Sequence, residues 1–367
     1  MKVCLICNQI AAWGKIGGFG VTTRRLGYGL VQSGIEVHAV IPIRPGQAKL
    51  EILDGISVYG QSNLEVFAGT TIYKQIDADI YHVLEPNICG FWAQKAMPNR
   101  IHRVSCLDPR ERIDWLTELR FATWSRRMKY PLQKFYEDSR LVRKSVRSAH
   151  GVYVWENFLK EKAQRLYNLS MPPELFPKPL LIPGGPFHKS DRPLCVFLGR
   201  FDPRKRPEIF FELAKSMHDV DFVAIGRAHD LSYQNYLEKK YFNLPNLEVA
   251  GYIDPFTDDR LSQILKRAWV LIHPAAREAL PTALQEASVH EVAILANVNP
   301  GGYVSRFGRV VPNNLGVNGY KKHLRSLIES GAWREKGKAG RAYNLEHHTF
   351  SKSIAEHINA YASHLQK

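Results

Sequence analysis

The second half of the chain contains the stretch that decides its fold, Val270-Leu-Ile-His-Pro-Ala-Ala-Arg-Glu278-Ala-Leu-Pro-Thr-Ala-Leu-Gln-Glu286. An apolar run of strand length ends at Pro274, and Pro281 leads into a segment with helical spacing. A strand, a short loop and a helix in this order form the repeating unit of parallel sheets that are covered by helices. Ligands of such sheets bind at the loops that follow the strands, so Glu278 stands where a ligand is expected.

The same alternation of strand and helix patterns runs through both halves of the chain. In the second half, apolar runs lie near 193–199, 220–226, 247–250, 269–273 and 292–296, with helical patterns at 207–217, 230–242, 257–267 and 281–290. In the first half, strands are predicted near 2–8, 35–42, 56–60, 79–84, 101–106 and 151–155, with a helix at 21–33. This pattern predicts an α/β protein with two doubly wound parallel sheets that face each other across a cleft.

The domain boundary is predicted from the densest cluster of proline and glycine in the chain. It spans 172–186 and ends in Pro183-Gly-Gly-Pro186, a composition typical of a linker. We therefore predict one domain at 1–184 and a second at 185–349, followed by a tail with helical spacing. A length of 367 residues suits two domains, since a domain commonly has roughly 100–200 residues.

Composition and cysteine content bound the class of protein. Apolar residues make up 45% of the chain and charged residues 23%, which is typical of a globular protein. The apolar run at the N-terminus is too short for a signal peptide or a membrane span, so a cytoplasmic location is expected. The five cysteines are an odd number and are expected to be reduced core residues, including the Cys4 and Cys7 pair in the first strand.

A basic and aromatic stretch at 110–149 interrupts the alternation. The chain has a formal net charge of +15, and residues 100–150 contain 13 Arg or Lys against six Asp or Glu. A solvated helical face, a core-packed inserted helix, a nucleic-acid site and a membrane surface all fit this composition. We favour peripheral contact with an anionic membrane at its inner face, because aromatic and basic side chains interleave as in an interfacial helix. Nucleic acid is not an expected partner, because no recognised nucleic-acid motif is present. The interleaved residues are Trp115, Phe121, Trp124 and Tyr130 with Arg120, Arg126, Arg127 and Lys129.

Two further loops carry groups that suit phosphate. The first strand of the second domain ends in Leu198-Gly-Arg200-Phe-Asp-Pro-Arg-Lys205-Arg-Pro207, which places four cations beside a helix N-terminus. In the first domain, Gly14-Lys-Ile-Gly17-Gly18-Phe-Gly20 precedes a predicted helix. The glycine loop does not match the dinucleotide pattern G-x-G-x-x-G, and the second strand lacks the acidic residue that holds an NAD ribose. A dehydrogenase is therefore disfavoured, while a purely structural glycine turn or a solvated basic turn stays open.

Glu278 and Glu286 stand eight positions apart, one in the loop after the strand and the other inside the following helix. Carboxylates accept hydrogen bonds from paired hydroxyls, so a ribose and a hexose are natural ligands for the two side chains. The helix N-terminus between them can hold phosphates. Exposed carboxylates on a helix are also common without any function.

Together these loops resemble the retaining glycosyltransferases of group 1 (family 4), whose members have the GT-B fold of two Rossmann-like domains. The resemblance covers nearly the whole chain. It implies that Arg200 and Lys205 bind the donor diphosphate and that Glu278 and Glu286 hold the transferred sugar and the nucleotide ribose. It gives Arg200, Lys205 and Glu278 catalytic roles. The remaining residues implied in donor binding are Gly17, Gly18, Gly226, Tyr252, Ile253, Leu280, Pro281, Thr282 and Glu286.

The activity implied by this resemblance is the transfer of a hexose-type sugar from a nucleoside-diphosphate sugar to an acceptor hydroxyl, with retention of anomeric configuration. A UDP- or GDP-sugar is the favoured donor, and the acceptor is a glycan, a lipid-linked molecule or a small molecule. The resemblance implies no bound metal and no further cofactor. It also implies that a C-terminal helix at about 350–367 crosses back onto the first domain.

Among the departures from the family pattern, two bear on activity. Leu107 stands where many members carry a histidine near the donor sugar, and Ala279 replaces a glycine that often follows the first glutamate. These departures leave open an alternative, a catalytically impaired relative that binds sugar nucleotide or glycan. Single histidines such as His82, His273 and His290 show no metal-ligand spacing and are expected to be structural.

Overall fold

The structure is a computed structural model, and it describes residues 1–14 and 17–365. The chain divides into two compact units. The first unit comprises Met1–Trp115, Thr123–Pro179 and His348–Lys367, and the second comprises Leu116–Ala122 and Leu180–His347. The basic stretch is therefore split between the two units.

The first unit contains an eight-stranded sheet within the described residues. Its strand order is β3-β4-β2-β1-β5-β6-β7-β8, with β3 antiparallel to β4 and the other neighbours parallel. The strands are β1 Lys2–Ile6, β2 Glu36–Pro42, β3 Leu50–Leu53, β4 Ile56–Gln61, β5 Ile80–Val83, β6 Ile101–Ser105, β7 Gly151–Val154 and β8 Glu174–Leu175. The six strands predicted for this half are confirmed, whereas β3 and β8 were missed. Asp54 and Gly55 connect β3 to β4, and this dipeptide is a hairpin signal that the sequence offered.

Helices cover both faces of this sheet. They are α1 Gly18–Gln32, α2 Asn63–Ala68, α3 Thr71–Ile76, α4 Ile88–Ala96, α6 Trp124–Asp138, α7 Arg140–Arg147, α8 Leu159–Tyr167 and, at the C-terminus, α16 Phe350–Leu365. Helix α5, Arg112–Arg120, begins in the first unit, and its residues from Leu116 onward belong to the second. Ile354 and Tyr361 of α16 are buried in the same apolar cluster as Val3 and Leu5 of β1. A Cβ at Gly29 of α1 would lie 2.4 Å from Ile354 Cδ1, so this glycine lets α16 approach α1 closely.

The second unit contains a six-stranded parallel sheet in the described part of the chain. Its strand order is β11-β10-β9-β12-β13-β14, and β9 pairs with both β10 and β12. The strands are β9 Leu194–Leu198, β10 Asp221–Ile225, β11 Leu247–Gly251, β12 Val270–His273, β13 Ala293–Ala296 and β14 Gly308–Val310. The helices are α9 Pro207–Ser216, α10 Leu231–Tyr241, α11 Arg260–Arg267, α12 Thr282–Val289, α13 Tyr303–Phe307, α14 Gly316–Glu329 and α15 Ala332–His347.

Both faces of the second sheet are buried, which explains why its strands read as continuous apolar runs. Along β9, Cys195 and Phe197 belong to one apolar cluster, whereas Leu194 and Val196 belong to the other. The prediction of a doubly wound sheet is confirmed here. The short edge strand β14 was missed because three residues give no periodicity.

All five cysteines are free and buried, in agreement with the sequence prediction. Within residues 1–14 and 17–365, no helix is long and apolar enough to cross a membrane.

Candidate active site

In the second unit, the chain connections run in opposite directions from the neighbouring strands β9 and β12. These strands are neighbours, but β9 leads through α9 to β10 on one side and β12 leads through α12 to β13 on the other. The two loops that follow them therefore diverge. In open α/β sheets this divergence is the place where ligands bind.

Residues 199–206 form the loop after β9, called the basic loop here, and hydrogen bonds within it and to a neighbouring loop stabilise its shape. The carboxylate of Asp202 accepts a hydrogen bond of 3.0 Å from the Arg204 N–H and opens a short 3₁₀ turn over Pro203–Lys205. Arg206 then adopts a left-handed conformation with φ 50°. The N–H of Ala276 donates to the carbonyl of Arg204 over 2.9 Å, which ties the basic loop to the loop that carries Glu278.

Three glycines, Gly199, Gly226 and Gly251, bring the ends of β9, β10 and β11 into close contact. Gly226 has φ 145°, and a Cβ at this position would lie 1.9 Å from the carbonyl oxygen of Gly199, so no larger residue fits. The N–H of Gly226 donates to the carbonyl of Gly251 over 2.7 Å. Tyr252, which follows β11, is half-buried, with the Arg227 guanidinium 5.7 Å from its ring centre. The side chain of Ile253 is buried in the core, so only its backbone is available to a ligand.

The structure brings Lys205 and Glu278 together as an ion pair between the two loops. The Lys205 ammonium donates to Oε1 of Glu278, and both side chains are mostly buried, with 17% and 15% of their surfaces exposed. His273, the last residue of β12, lies with its Nε2 3.4 Å from the same carboxylate oxygen. The sequence interpretation of His273 as a structural residue missed this contact, because it depends on how the loop after β12 folds back.

The electrostatics of this pair favour a negative Glu278. Burial by itself would raise the pKa of the Glu278 carboxyl, but the charge of Lys205 and the contact with His273 outweigh it and hold the pKa well below its usual range. Burial lowers the pKa of Lys205, and the nearby charges of Arg204 and Arg200 act in the same direction while Glu278 opposes them. Burial also lowers the pKa of His273, which favours its neutral form.

A carboxylate from the basic stretch reaches the same loops. Oε1 of Glu118, in α5, lies 3.2 Å from Nη1 of Arg204 and 3.2 Å from Nη1 of Arg277. Glu118 thus joins the basic loop to the residue that precedes Glu278. Sequence reasoning missed it, since no local pattern distinguishes this acid from others among the arginines.

The helix after Glu278 contains the remaining acid of the predicted donor site. Pro281 precedes α12, Thr282 is its first residue, and Leu280 and Thr282 are both buried. No described side chain caps this helix, which suits an anionic ligand at its N-terminus. Glu286 is half-buried one turn further on, and its carbonyl accepts a 2.6 Å hydrogen bond from Nδ1 of His290.

Gly17 and Gly18 lie in the first unit, at the beginning of α1. Gly17 has φ 151° and stands immediately before the helix, while Gly18 is its first residue. The hydroxyl of Thr22 donates to the Gly18 carbonyl over 2.9 Å and stabilises this first turn. Lys15 and Ile16, which belong to the same predicted glycine loop, lie outside the described residues.

Leu107, at the position of the family histidine, is buried and supplies no polar side chain. Its N–H donates to Oε2 of Glu85 over 3.0 Å. Burial, with a smaller contribution from Asp108, raises the pKa of Glu85 to about 8. The polar group at this point of the first unit is therefore a carboxyl from the loop after β5 instead of an imidazole.

Comparison with known protein families identifies the domain that contains these loops. The family model described as glycosyl transferases group 1 matches residues 183–336. The chain carries a group 1 glycosyl transferase domain. The matched segment contains the basic loop, Glu278 and α12, so the resemblance drawn from these residues is confirmed. No curated protein sequence matches the chain significantly.

Solved structures show that the whole chain has the GT-B fold. Sucrose-phosphate synthase from Thermosynechococcus elongatus superposes with a TM-score of 0.73 at 16% identity, covering 100% of this chain and 99% of that one. HepE from Anabaena in complex with UDP-glucose gives 0.71 at 12% identity, with 98% and 99% covered. WaaG, a glycosyltransferase involved in lipopolysaccharide biosynthesis, gives 0.64 at 14% identity, with 96% and 98% covered.

Proposed function

We propose that this glycosyl transferase moves a hexose-type sugar from a nucleoside-diphosphate sugar to an acceptor hydroxyl with retention of configuration. The observation that carries the proposal is the ion pair between Lys205 and Glu278 at the divergence of β9 and β12. A cation for phosphate and a carboxylate for sugar hydroxyls stand side by side there, which is the order of groups along a sugar nucleotide.

Lys205 and Arg200 hold the donor diphosphate. Their positive charges stabilise the negative charge that develops on the leaving group, and charge placed in advance at that point lowers the barrier. When the diphosphate binds, Lys205 exchanges part of its contact with Glu278 for a phosphate oxygen. Glu278 then accepts hydrogen bonds from hydroxyls of the transferred sugar.

The nucleoside lies further along the sheet edge. Glu286 accepts hydrogen bonds from the ribose hydroxyls, and the N–H groups of Leu280 and Thr282, on either side of Pro281 at the beginning of α12, face the phosphates. The base lies against the backbone of Gly226, Tyr252 and Ile253. The proposal also assigns Gly17 and Gly18 to donor binding.

The proposed transfer needs no nucleophile from the protein. The bond between the anomeric carbon and the phosphate oxygen breaks, and the nucleoside diphosphate leaves with the electron pair. The acceptor oxygen forms the new bond on the same face, and its proton passes to the leaving phosphate oxygen. The role of the protein is to orient the donor and to stabilise charge.

We propose a UDP- or GDP-sugar as donor and no requirement for a bound metal or another cofactor. The likeness to HepE, which was solved with UDP-glucose, supports a uridine donor. The cations of the basic loop supply the charge that a divalent ion supplies elsewhere. Transfer measured with and without a chelator tests this, and loss of activity that added magnesium or manganese restores would contradict it.

We propose a cytoplasmic location and peripheral contact with the inner face of an anionic membrane through residues 110–149. An acceptor that is anchored in a lipid bilayer would then be reached without a membrane-spanning segment. This stretch contains 11 Arg or Lys against five Asp or Glu, which supports attraction to anionic lipid.

A thermal-shift panel of UDP-, GDP- and ADP-sugars tests the donor. A ligand at about 100 times its dissociation constant stabilises the folded state by about 3 kcal/mol, which raises the melting temperature by several degrees. Donor hydrolysis on the same panel reports turnover. Glu278→Gln should lose both the sugar-dependent shift and turnover, whereas Glu248→Gln, on the exposed edge strand β11, should keep them. If all donors leave the melting temperature unchanged, the proposal is wrong.

A further inference from the structure

Helix α6, Trp124–Asp138, exposes a continuous apolar face. Trp124 is 76% exposed, Met128 65%, Leu132 56% and Phe135 46%. Their spacing of four, four and three residues places them on one side of a helix with 3.6 residues per turn. Single exposed apolar residues are ordinary, but four in one stripe mark a surface that something else covers.

The opposite side of α6 is fixed to the first unit. The ring of Tyr130 lies edge-on to Trp115 with 5.7 Å between centres, and the hydroxyl of Tyr136 donates to Oδ1 of Asn8 over 2.7 Å. Glu137 forms an ion pair with Arg110. The helix is thus anchored through one face, and its apolar face points outward. A core-packed helix accounts for Trp115 and Tyr130 but not for the exposed stripe.

The charges around the stripe all have one sign. Between Trp124 and Tyr136 the helix contains Arg126, Arg127, Lys129 and Lys134 and no acidic residue, and these four side chains are exposed. At about 100° per residue, Lys129 lies on one border of the stripe and Arg127 and Lys134 lie on the other. An apolar stripe with cations on both borders is the pattern of helices that lie in the interface of a bilayer.

We propose that this face of α6 docks onto an anionic lipid bilayer, with the four apolar side chains entering the interface and the cations meeting anionic headgroups. The apolar side chains would reach roughly 5–10 Å below the headgroup level. Leu64, 85% exposed in α2, extends the surface, because Phe67 of the same helix contacts Phe135 with 6.2 Å between ring centres. The charge complementarity favours anionic lipid over a neutral protein partner, and the apolar stripe favours lipid over nucleic acid.

Docking through α6 implies that the acceptor is presented at the bilayer surface, and this consequence rests on the proposed function. Docking itself is independent of donor chemistry. The helix would hold the first unit against the membrane while a water-soluble donor binds to the second unit.

Flotation of the full chain with vesicles tests the proposal. Binding is expected to vesicles of phosphatidylcholine mixed with phosphatidylglycerol and to be at least about tenfold weaker to phosphatidylcholine alone. Trp124→Ser/Met128→Ser/Leu132→Ser should abolish flotation, and Arg127→Glu/Lys134→Glu should reduce it at least about tenfold. Matched controls change equally exposed residues elsewhere: Leu231→Ser in α10 and Lys239→Glu/Lys338→Glu should float as the unaltered chain does.

The donor-induced thermal shift of each variant separates folding and donor binding from docking. Retained shifts with lost flotation support the proposal. Flotation that survives both α6 variants overturns it, as does the absence of flotation by the unaltered chain. A concentration-dependent dimer that the serine variant disrupts, without vesicle binding, would instead assign the face to a second copy. Binding to RNA that the charge reversal abolishes, again without vesicle binding, would assign it to nucleic acid. Either result contradicts lipid docking.

Discussion

The carboxylate of Glu118 lies 3.2 Å from the guanidinium of Arg204, and the same oxygen lies 3.2 Å from Arg277. The contact links a residue of the basic stretch to both loops of the candidate donor site. Because Arg204 precedes Lys205 and Arg277 precedes Glu278, Glu118 helps to position the two residues on which the proposed chemistry depends.

Glu118→Gln is therefore expected to raise the KM for the donor by about three- to tenfold, with a smaller effect on kcat. The bridging carboxylate is largely buried, so its interactions are worth about 1 kcal/mol in total. The measurement is steady-state kinetics with varied donor. Glu111→Gln is the matched control, because Glu111 also pairs with an arginine, Arg165, but at an exposed site and, among the described residues, without a hydrogen bond or ion pair to either loop. Equal effects of the two variants would show that Glu118 has no positioning role.

A second prediction concerns the glycine contact at the strand ends. Gly226→Ala places a methyl group 1.9 Å from the Gly199 carbonyl oxygen, so the strand ends must separate. We expect a loss of about 2–4 kcal/mol in the free energy of unfolding of the second unit, with loss of the donor-induced thermal shift. Urea unfolding measures the first effect.

Gly251→Ala is the control for Gly226→Ala. Gly251 has a positive φ of 68°, but a Cβ added there would have no neighbouring atom within 4 Å, so only the backbone strain of about 1–2 kcal/mol applies. If both alanine variants lose the same stability, the close approach at Gly226 does not constrain the site.

Much of the fold could be predicted because its signals are local. Predicted strands coincide with β1, β2, β4–β7 and β9–β13 within a few residues, since buried parallel strands give uninterrupted apolar runs. The tail with predicted helical spacing is helix α16, in which Ile354, His357 and Tyr361 are buried and Leu365, at its end, is 47% exposed. The missed strands are short or lie at sheet edges, where few side chains are buried and the sequence shows no apolar run.

The candidate site was predictable only in part. Lys205 and Glu278 stand in loops whose positions follow from the strand order, so their proximity in the structure agrees with the expectation of one donor site. Glu118 is 159 positions from Arg277, and His273 contacts Glu278 only through the fold of a loop. Such contacts depend on tertiary packing, which a single sequence does not display.

A third prediction concerns acid stability of the first unit. Burial lowers the pKa of His357 from 6.5 to about 4, with a smaller opposing effect of its hydrogen bond to the Ser353 carbonyl. Between these two values the unfolded chain binds a proton that the folded chain does not, so stability rises with pH across this window and is lost as the pH falls from 6.5 towards 4. The loss should reach about 2–3 kcal/mol.

Urea unfolding at several pH values measures this dependence. His357→Gln should reduce the slope between pH 6.5 and 4, although the variant will itself be less stable. Burial also lowers the pKa of His82 and of His102, so part of the slope should remain. His347→Gln is the control, because 42% of the His347 side chain is exposed, and it should keep the slope of the unaltered chain. An unchanged slope in His357→Gln would assign the acid sensitivity to other groups.

The last prediction concerns the ion pair itself. Lys205→Met leaves Glu278 in a mostly buried position without its counter-charge, and Glu278→Gln does the same to Lys205, so each single change should cost about 1–3 kcal/mol of stability without donor. The double variant removes both charges and should cost less than the sum, with a coupling energy of about 1–3 kcal/mol. Urea unfolding of the unaltered chain, the two single variants and the double variant gives this value.

The effect of the same variants on sugar transfer should not follow their effect on stability. Lys205→Met should reduce kcat at least about 100-fold. Adding Glu278→Gln should not restore kcat, because a donor phosphate still lacks its cation. Additive changes in the free energy of unfolding would show that the two charges do not interact in solution. Recovery of transfer in the double variant would show that Lys205 is not needed to stabilise the leaving diphosphate.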